Sequence, residues 1–195
     1  MLYVVGEVTG VIQLDDIVYV VHMLYVVGSV SGVTQLDDIV YVVCRDPSII
    51  KTFTDTLSPL ADIHVDRMAR PRDIVASRYD RQLYVADLRS IWRVSVDHQS
   101  SYVKWLTTES STDTFRVDTL SVTSQGLLVT SRDPPHLREY SMSDKRLLRV
   151  VKMPAYVKEL LHGVETARGT FVICHQGTSQ DEERYPVSEP FTVDV

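Results

Sequence analysis

Seven arginines crowd into 27 residues of an otherwise acidic chain: Arg67, Arg70, Arg72, Arg78, Arg81, Arg89 and Arg93. A guanidinium group presents a planar fork of donors that fits phosphate or carboxylate oxygens, so such a cluster is a candidate surface for an anionic partner, RNA or an acidic peptide. Asp66, Asp73, Asp80 and Asp87 are interleaved with the arginines. The same pattern would also arise from a solvated rim of local ion pairs. Arg70, Arg72, Arg78, Arg81 and Arg89 fall in or beside turn-like sequence, and these five make up the candidate partner-binding rim.

Catalytic groupings are thin. None of the six histidines (His22, His64, His98, His136, His162 and His175) forms a His-x-His or His-x-x-x-His pair, the spacing that would place two imidazoles on one zinc. Ser, His and Asp are all present, but no Gly-x-Ser-x-Gly elbow occurs. The nearest segments, Gly6–Gly10 and Gly28–Gly32, carry Val8 and Val30 where the nucleophile would stand, and they read as turn glycines. No phosphate loop or dinucleotide fingerprint is found. The expectation is therefore a non-enzyme with no cofactor and no bound metal.

The elements that must carry these residues repeat. An apolar phrase returns as Val40–Cys44, Leu83–Asp87, Leu127–Ser131 and Thr170–Cys174, at intervals of 43, 44 and 43 residues. That period, in sequence rich in Val, Ile, Thr, Tyr and Leu, predicts the blades of an all-β propeller. Each phrase is apolar at consecutive positions and is expected to be a central strand, buried on both faces. Strands are expected at 39–43, 83–87, 127–130 and 170–174, in equivalent places of successive sheets. The polar stretch Gln176–Arg184 is expected to be an exposed loop leading to a last strand near 187–193. Trp92 and Trp105 are expected to pack between blades rather than stack on a ligand.

A second repeat occupies the N-terminus. Residues 1–22 recur as 23–44 with only Glu7/Ser29, Thr9/Ser31, Ile12/Thr34 and His22/Cys44 differing. Two readings stand: a duplicated coding segment that adds an extra hairpin, or two copies that both pack as strands and complete a first blade. The chain accordingly divides into a duplicated segment, 1–31, and propeller blades, 32–195.

The 195 residues are 44% apolar with a formal net charge of −6. The acidic balance argues against a mainly electrostatic nucleic-acid binder. No stretch approaches the roughly 18 apolar residues of a membrane helix. The first residues lack the basic n-region and long h-region of a signal peptide, so a cytoplasmic location with no membrane partner is expected. Cys44 and Cys174 hold the same place in non-adjacent repeats and are expected to be free thiols. The chain has no Asn and hence no N-glycosylation acceptor.

The second repeat unit carries a family resemblance. Pro71–Ala76, then Leu83-Tyr84-Val85-Ala86-Asp87, then Ile91–Val94 resembles an NHL repeat, the unit of the propellers at the C-terminal end of tripartite-motif proteins. The other units match in period and apolar pattern, with Cys44, Ser131 and Cys174 in place of the Asp. The resemblance spans about residues 32–180. It implies a six-bladed ring, of which this chain supplies about four blades, and an Asp at the end of the phrase that helps hold the following turn. A propeller presents a rigid concave face built from inter-strand loops, so protein–protein interaction through those loops is the leading expectation. RNA binding through the arginine-rich rim is the alternative. A metal-assisted lyase or hydrolase is the remote one, since the inner strands offer chiefly Asp73, Asp118 and His162.

Overall fold

The computed structural model describes residues 12–14, 17–19, 29–96, 101–108, 115–176 and 191–193. Every regular element among them is a β-strand. The chain forms two compact units, Met1–Lys104 and Trp105–Val195.

In the first unit, β1 (Ile12–Leu14) and β2 (Ile17–Tyr19) form a short antiparallel hairpin. Next come β3 (Val30–Leu36), β4 (Ile39–Arg45) and β5 (Ser48–Thr54), an antiparallel three-stranded meander. Its open edge is partly covered by residues 58–63, which bridge back to β5 through Phe53–Pro59 and Ile50–Ile63. The second sheet is β6 (Pro71–Ser77), β7 (Gln82–Asp87), β8 (Ser90–Ser95) and β9 (Tyr102–Thr107), again in sequence order. The boundary between the units falls within β9. The second unit holds β10 (Thr119–Val122), β11 (Leu127–Ser131), β12 (His136–Tyr140) and β13 (Leu147–Lys152) in one sheet. A further sheet contains β14 (Glu159–Glu165), β15 (Phe171–Gln176) and β16 (Phe191–Val193).

The four apolar phrases form β4, β7, β11 and β15, each an interior strand of a different sheet. Their double burial follows the two-residue period of a strand. In β4, Tyr41 and Val43 point into a cluster shared with Ile74, Leu83, Val85, Trp92 and Val94 of the second sheet. Val40, Val42 and Cys44 point the other way, onto Ile49 and Phe53. Trp92 thus packs between neighbouring sheets, as expected, and Trp105 is buried. In the second unit Leu128, Leu137, Leu160, Phe171 and Ile173 form the equivalent cluster. β15 is the least covered of the four phrases: Cys174 is exposed, and Thr170 lies just outside the strand.

Boundaries shift where backbone pairing overrides local composition. Arg45 and Ser48 continue their strands and pair with each other, so the turn narrows to Asp46-Pro47. β6 starts at Pro71, a place where the missing N–H costs little. β14 starts at Glu159 and runs through His162 to Glu165. Residues 177–190, which include most of the expected polar loop, lie outside the described residues.

Neighbouring sheets are laced together through their first strands. The Ser31 hydroxyl donates to the Pro71 carbonyl at 2.9 Å, and the Ala76 N–H donates to Thr34 Oγ1 at 3.0 Å. In the second unit Thr119 and Ser121 donate to the carbonyls of Leu161 and Gly163, at 3.2 and 2.6 Å. All four bonds are about one repeat long in sequence, so the 43-residue period is written into hydrogen bonds as well as apolar contacts. The register of β3, β6 and β14 slips by one residue at Ser31, Arg72 and Leu161. Each slip is a bulge near the strand start, which re-aims a residue toward its neighbour.

The lacing requires close approach. A Cβ on Gly32 would sit 2.8 Å from the Ile74 nitrogen and 2.9 Å from the Asp73 Cα, backbone atoms that cannot swing aside. Gly32→Ala should therefore destabilise the first unit by about 1–3 kcal/mol through overpacking. Urea denaturation should show the loss, and Gly169→Ala, with open space around its Cβ but a φ of +79°, should cost only about 1 kcal/mol from strain.

Candidate recognition surface

A strand reverses the end of the sheet at each pass, and this sorts the arginines. Pro71 pairs with Asp87 at one end of the β6–β7 hairpin, and Ser77 pairs with Gln82 at the other. Six residues of strand separate these ends by about 20 Å. Arg70 precedes β6, Arg72 is its bulged residue and Arg89 lies in the β7–β8 turn, so these three share the Pro71/Asp87 end. Arg78 and Arg81 lie in the β6–β7 turn at the opposite end. The five candidates thus form two groups on opposite rims, and Arg72 is half-buried where the other four are exposed.

At the first rim the organising group is Asp87. It is 6% exposed. Its carboxylate accepts from the backbone N–H groups of Ala69 at 3.2 Å and Arg70 at 2.7 Å, and from Trp92 Nε1 at 3.0 Å. Its own carbonyl accepts from the Ser90 hydroxyl at 3.3 Å. The aspartate that ends the phrase therefore fixes the segment leading into its sheet and the indole on the next strand. Arg45 is exposed at this rim too, its N–H donating to the Ser29 carbonyl at 2.8 Å.

At the second rim the β6–β7 turn is braced from below. The Tyr84 hydroxyl donates to Asp80 Oδ2 at 2.6 Å. Burial, together with that carboxylate, holds the Tyr84 phenol well above its ordinary pKa. Gln82 Nε2 donates to the Asp80 carbonyl at 3.3 Å. Arg81, with a left-handed φ of 55°, pairs with Asp37 of the β3–β4 turn at 2.7 Å. Gln35 Nε2 in turn donates to the Asp37 carbonyl at 2.6 Å. These braces fix the turn and leave Tyr79 at its tip 90% exposed.

The second unit carries a polar cluster that sequence reasoning missed. Glu139, fully buried on β12, is bonded by the Thr123 hydroxyl and by Arg149 Nε of β13. Arg149 also reaches Glu165 Oε1 at 3.1 Å and lies over the Phe171 ring at 4.4 Å. The Ser124 N–H donates to Glu165 Oε2 at 2.7 Å. Burial opposes ionisation of Glu165, but the Ser124 and Arg149 donors outweigh it and hold the carboxyl below its ordinary pKa. His162, on β14, is held below the usual imidazole value by burial. The two carboxylates share the Arg149 guanidinium and are otherwise held by neutral donors, Thr123 and the Ser124 N–H, so the cluster is a clamp between adjacent sheets.

Among the described residues no three His, Cys, Asp or Glu side chains converge as a metal set. Asp118 stands just before β10 and accepts from the Arg132 N–H at 2.9 Å. Cys44 and Cys174 are unbonded, and burial pushes the Cys44 thiol up.

No protein-family model matches the chain, and no curated protein matches it by sequence. Solved structures do match. Hydrazine synthase of Kuenenia stuttgartiensis aligns with a TM-score of 0.62 at 14% identity, over 83% of this chain and 47% of that one. A nidogen/laminin complex aligns at 0.60 and 16%, over 77% and 58%. The Swd1 β-propeller domain of Myceliophteria thermophila aligns at 0.56 and 9%, over 75% and 51%. The chain spans about half the length of the solved structures it matches. Identities this low speak to fold alone, and the fold is a β-propeller.

Proposed function

We propose that the chain is a non-catalytic recognition module that binds a protein partner through its inter-strand loops. The observation that carries this reading is Tyr79, 90% exposed on a turn held by Asp80–Tyr84 and Arg81–Asp37. Tyr and Arg dominate interface hot spots, and a rigid tip loses little entropy when it is captured. Arg78 stands beside Tyr79 and supplies the polar flank.

The fold does not choose between classes, because one similar structure is an enzyme, hydrazine synthase, while another is a complex of nidogen with laminin. The surface chemistry supports the protein-binding reading. An RNA strand would need a continuous phosphate track, whereas the five arginines divide between two rims and Arg81 is already paired with Asp37. We read the Asp87 phrase as an NHL-type feature and the chain as part of a six-bladed ring.

A photo-crosslinker placed at Arg78 in the full chain should trap a protein partner, and Tyr79→Ala should cut its yield about tenfold or more. Stability should stay within about 0.5 kcal/mol of wild type. Single-stranded RNA binding that falls steeply with salt and is lost in Arg70→Ala/Arg72→Ala/Arg89→Ala would favour the RNA reading instead.

A further inference from the structure

Arg45-Asp46-Pro47 recurs as Arg132-Asp133-Pro134, each triplet directly after the apolar phrase of its sheet. Both arginines are exposed, at the end of the sheet where the phrase finishes. In the second unit the arginine has a carboxylate beside it. Arg132 Nε lies 3.8 Å from Oε2 of Glu159, the first residue of β14 in the next sheet. In the first unit the residue at the entry to the next sheet is Arg70, immediately before β6. A second cation thus stands where the second unit places its carboxylate. Among the described residues no ion pair engages the guanidinium of Arg45 or Arg70.

Hydrogen bonds brace the backbone under both arginines. The Ser48 hydroxyl lies 3.1 Å from the Arg45 carbonyl and 3.1 Å from the Ala69 carbonyl, and shares its proton between them. The β4–β5 turn and the segment leading into β6 therefore run side by side. From the other side, the Asp87 carboxylate accepts from the Ala69 and Arg70 N–H groups. The β7–β8 turn that follows Asp87 carries Arg89, also exposed. Successive chain segments thus present Arg45, Arg70 and Arg89 on one braced ledge. Little negative charge offsets them. Asp46 is exposed in the Arg45 turn. Asp87 is buried and committed to N–H donors, and Asp73 turns Oδ1 onto the Ile74 N–H at 2.8 Å.

We propose that this ledge binds an acidic segment of a protein partner, with a Glu or Asp carboxylate held by Arg45 and Arg70 as Glu159 is held by Arg132, and a neighbouring carboxylate of the segment met by Arg89. A carboxylate between two guanidinium forks gains charge-assisted hydrogen bonds. The ledge is already ordered, so little entropy is lost when it is occupied. The site lies at the opposite end of the sheets from Tyr79 and does not depend on that tip. A single-stranded RNA fits it less well, because its bases need aromatic platforms. Tyr41, Tyr84 and Trp92 are buried, and Tyr102 packs edge-on to Trp92.

The test is fluorescence anisotropy with the full chain and a fluorescein-labelled hexaglutamate peptide at low ionic strength. A hexaglutamine peptide and a labelled oligouridylate run in parallel. The glutamate peptide should bind, weaken as salt rises, and bind more tightly than the other two. Arg45→Ala/Arg70→Ala should weaken it about tenfold or more. Both side chains are exposed, and an unchanged thermal unfolding curve shows that the fold is kept. Lys145→Gln/Arg146→Gln removes the same charge from an exposed turn of the second unit and should leave binding unchanged. The proposal is overturned if the glutamate peptide does not bind at low ionic strength, or if the glutamine peptide binds equally well. It is also overturned if both double variants weaken binding to the same extent, which would mean attraction to net charge alone. Oligouridylate that binds more tightly than the peptide and is lost in Arg45→Ala/Arg70→Ala would assign the ledge to RNA instead.

Discussion

Replacing Asp87 with alanine should destabilise the first unit by about 3–5 kcal/mol, a large share of the roughly 5–15 kcal/mol that holds a domain together. The carboxylate is buried and accepts three hydrogen bonds, from the N–H groups of Ala69 and Arg70 and from Trp92 Nε1. Removing it leaves three donors without their acceptor, and each buried orphan costs about 1–3 kcal/mol. Partial access of water to the Arg70 side sets the total below the upper bound. Asp87→Asn keeps one carbonyl oxygen but turns an NH2 toward a donor, so it should lose about half as much. Amide hydrogen exchange is the sharpest readout: Ala69 and Arg70 should lose protection in both variants, while Ile173 in the second unit stays protected. Unchanged protection at Ala69 and Arg70 in Asp87→Ala would show that other contacts hold this segment.

The same place in the third sheet shows how the device tolerates a different spelling. Ser131 stands where Asp87 does, and its hydroxyl meets the Arg116 N–H at only 3.4 Å. The carboxylate has moved to Asp118, just before β10, where it accepts from the Arg132 N–H. The connection between the phrase end and the segment leading into the sheet survives, with the acid on the other partner. In the first sheet Cys44 offers no such acceptor, and the backbone bond from Arg45 to Ser29 closes that end.

The fold was legible because burial on both faces leaves a mark that one face does not. A run such as Leu127–Ser131 is apolar at successive positions only where sheets cover it on both sides, and its recurrence located four interior strands. The start of β14 leaves no apolar mark, because Glu159 and His162 break the run, although backbone pairing with β15 carries the strand through them. The rim was half legible. The turn character of Arg70, Arg78, Arg81 and Arg89 could be read locally. Their separation onto two ends was also present, in the strand lying between Arg72 and Arg78, since each strand traversal switches ends. The Glu139 clamp was not legible. Within His136-Leu137-Arg138-Glu139-Tyr140 a glutamate looks like an outward position, and its partners Arg149 and Thr123 lie 10 and 16 residues away. Only the packing of two sheets shows that this side is covered.

That clamp gives the second large effect. Arg149→Ala should destabilise the second unit by about 3–5 kcal/mol, because it strands a fully buried Glu139 and a mostly buried Glu165 without their cation. Arg149→Lys should recover less than half of this. An ammonium is a point charge that does not reproduce the fork spanning Glu139 and Glu165, nor the planar stacking on Phe171. The double variant Arg149→Met/Glu139→Gln should be more stable than Arg149→Ala alone, since a neutral amide can still bond Thr123 while the methionine refills the space over Phe171. pH supplies an independent check. The Glu165 carboxyl is depressed in the folded state. Its stabilising contribution is therefore complete above its unfolded pKa of about 4.3 and is lost as pH falls through the lower folded value. Glu165→Gln should flatten the acid limb of the stability curve below about pH 4.5 and leave its slope near pH 7 unchanged. A double variant no more stable than Arg149→Ala would mean that neither a stranded Glu139 charge nor the lost packing over Phe171 accounts for the effect.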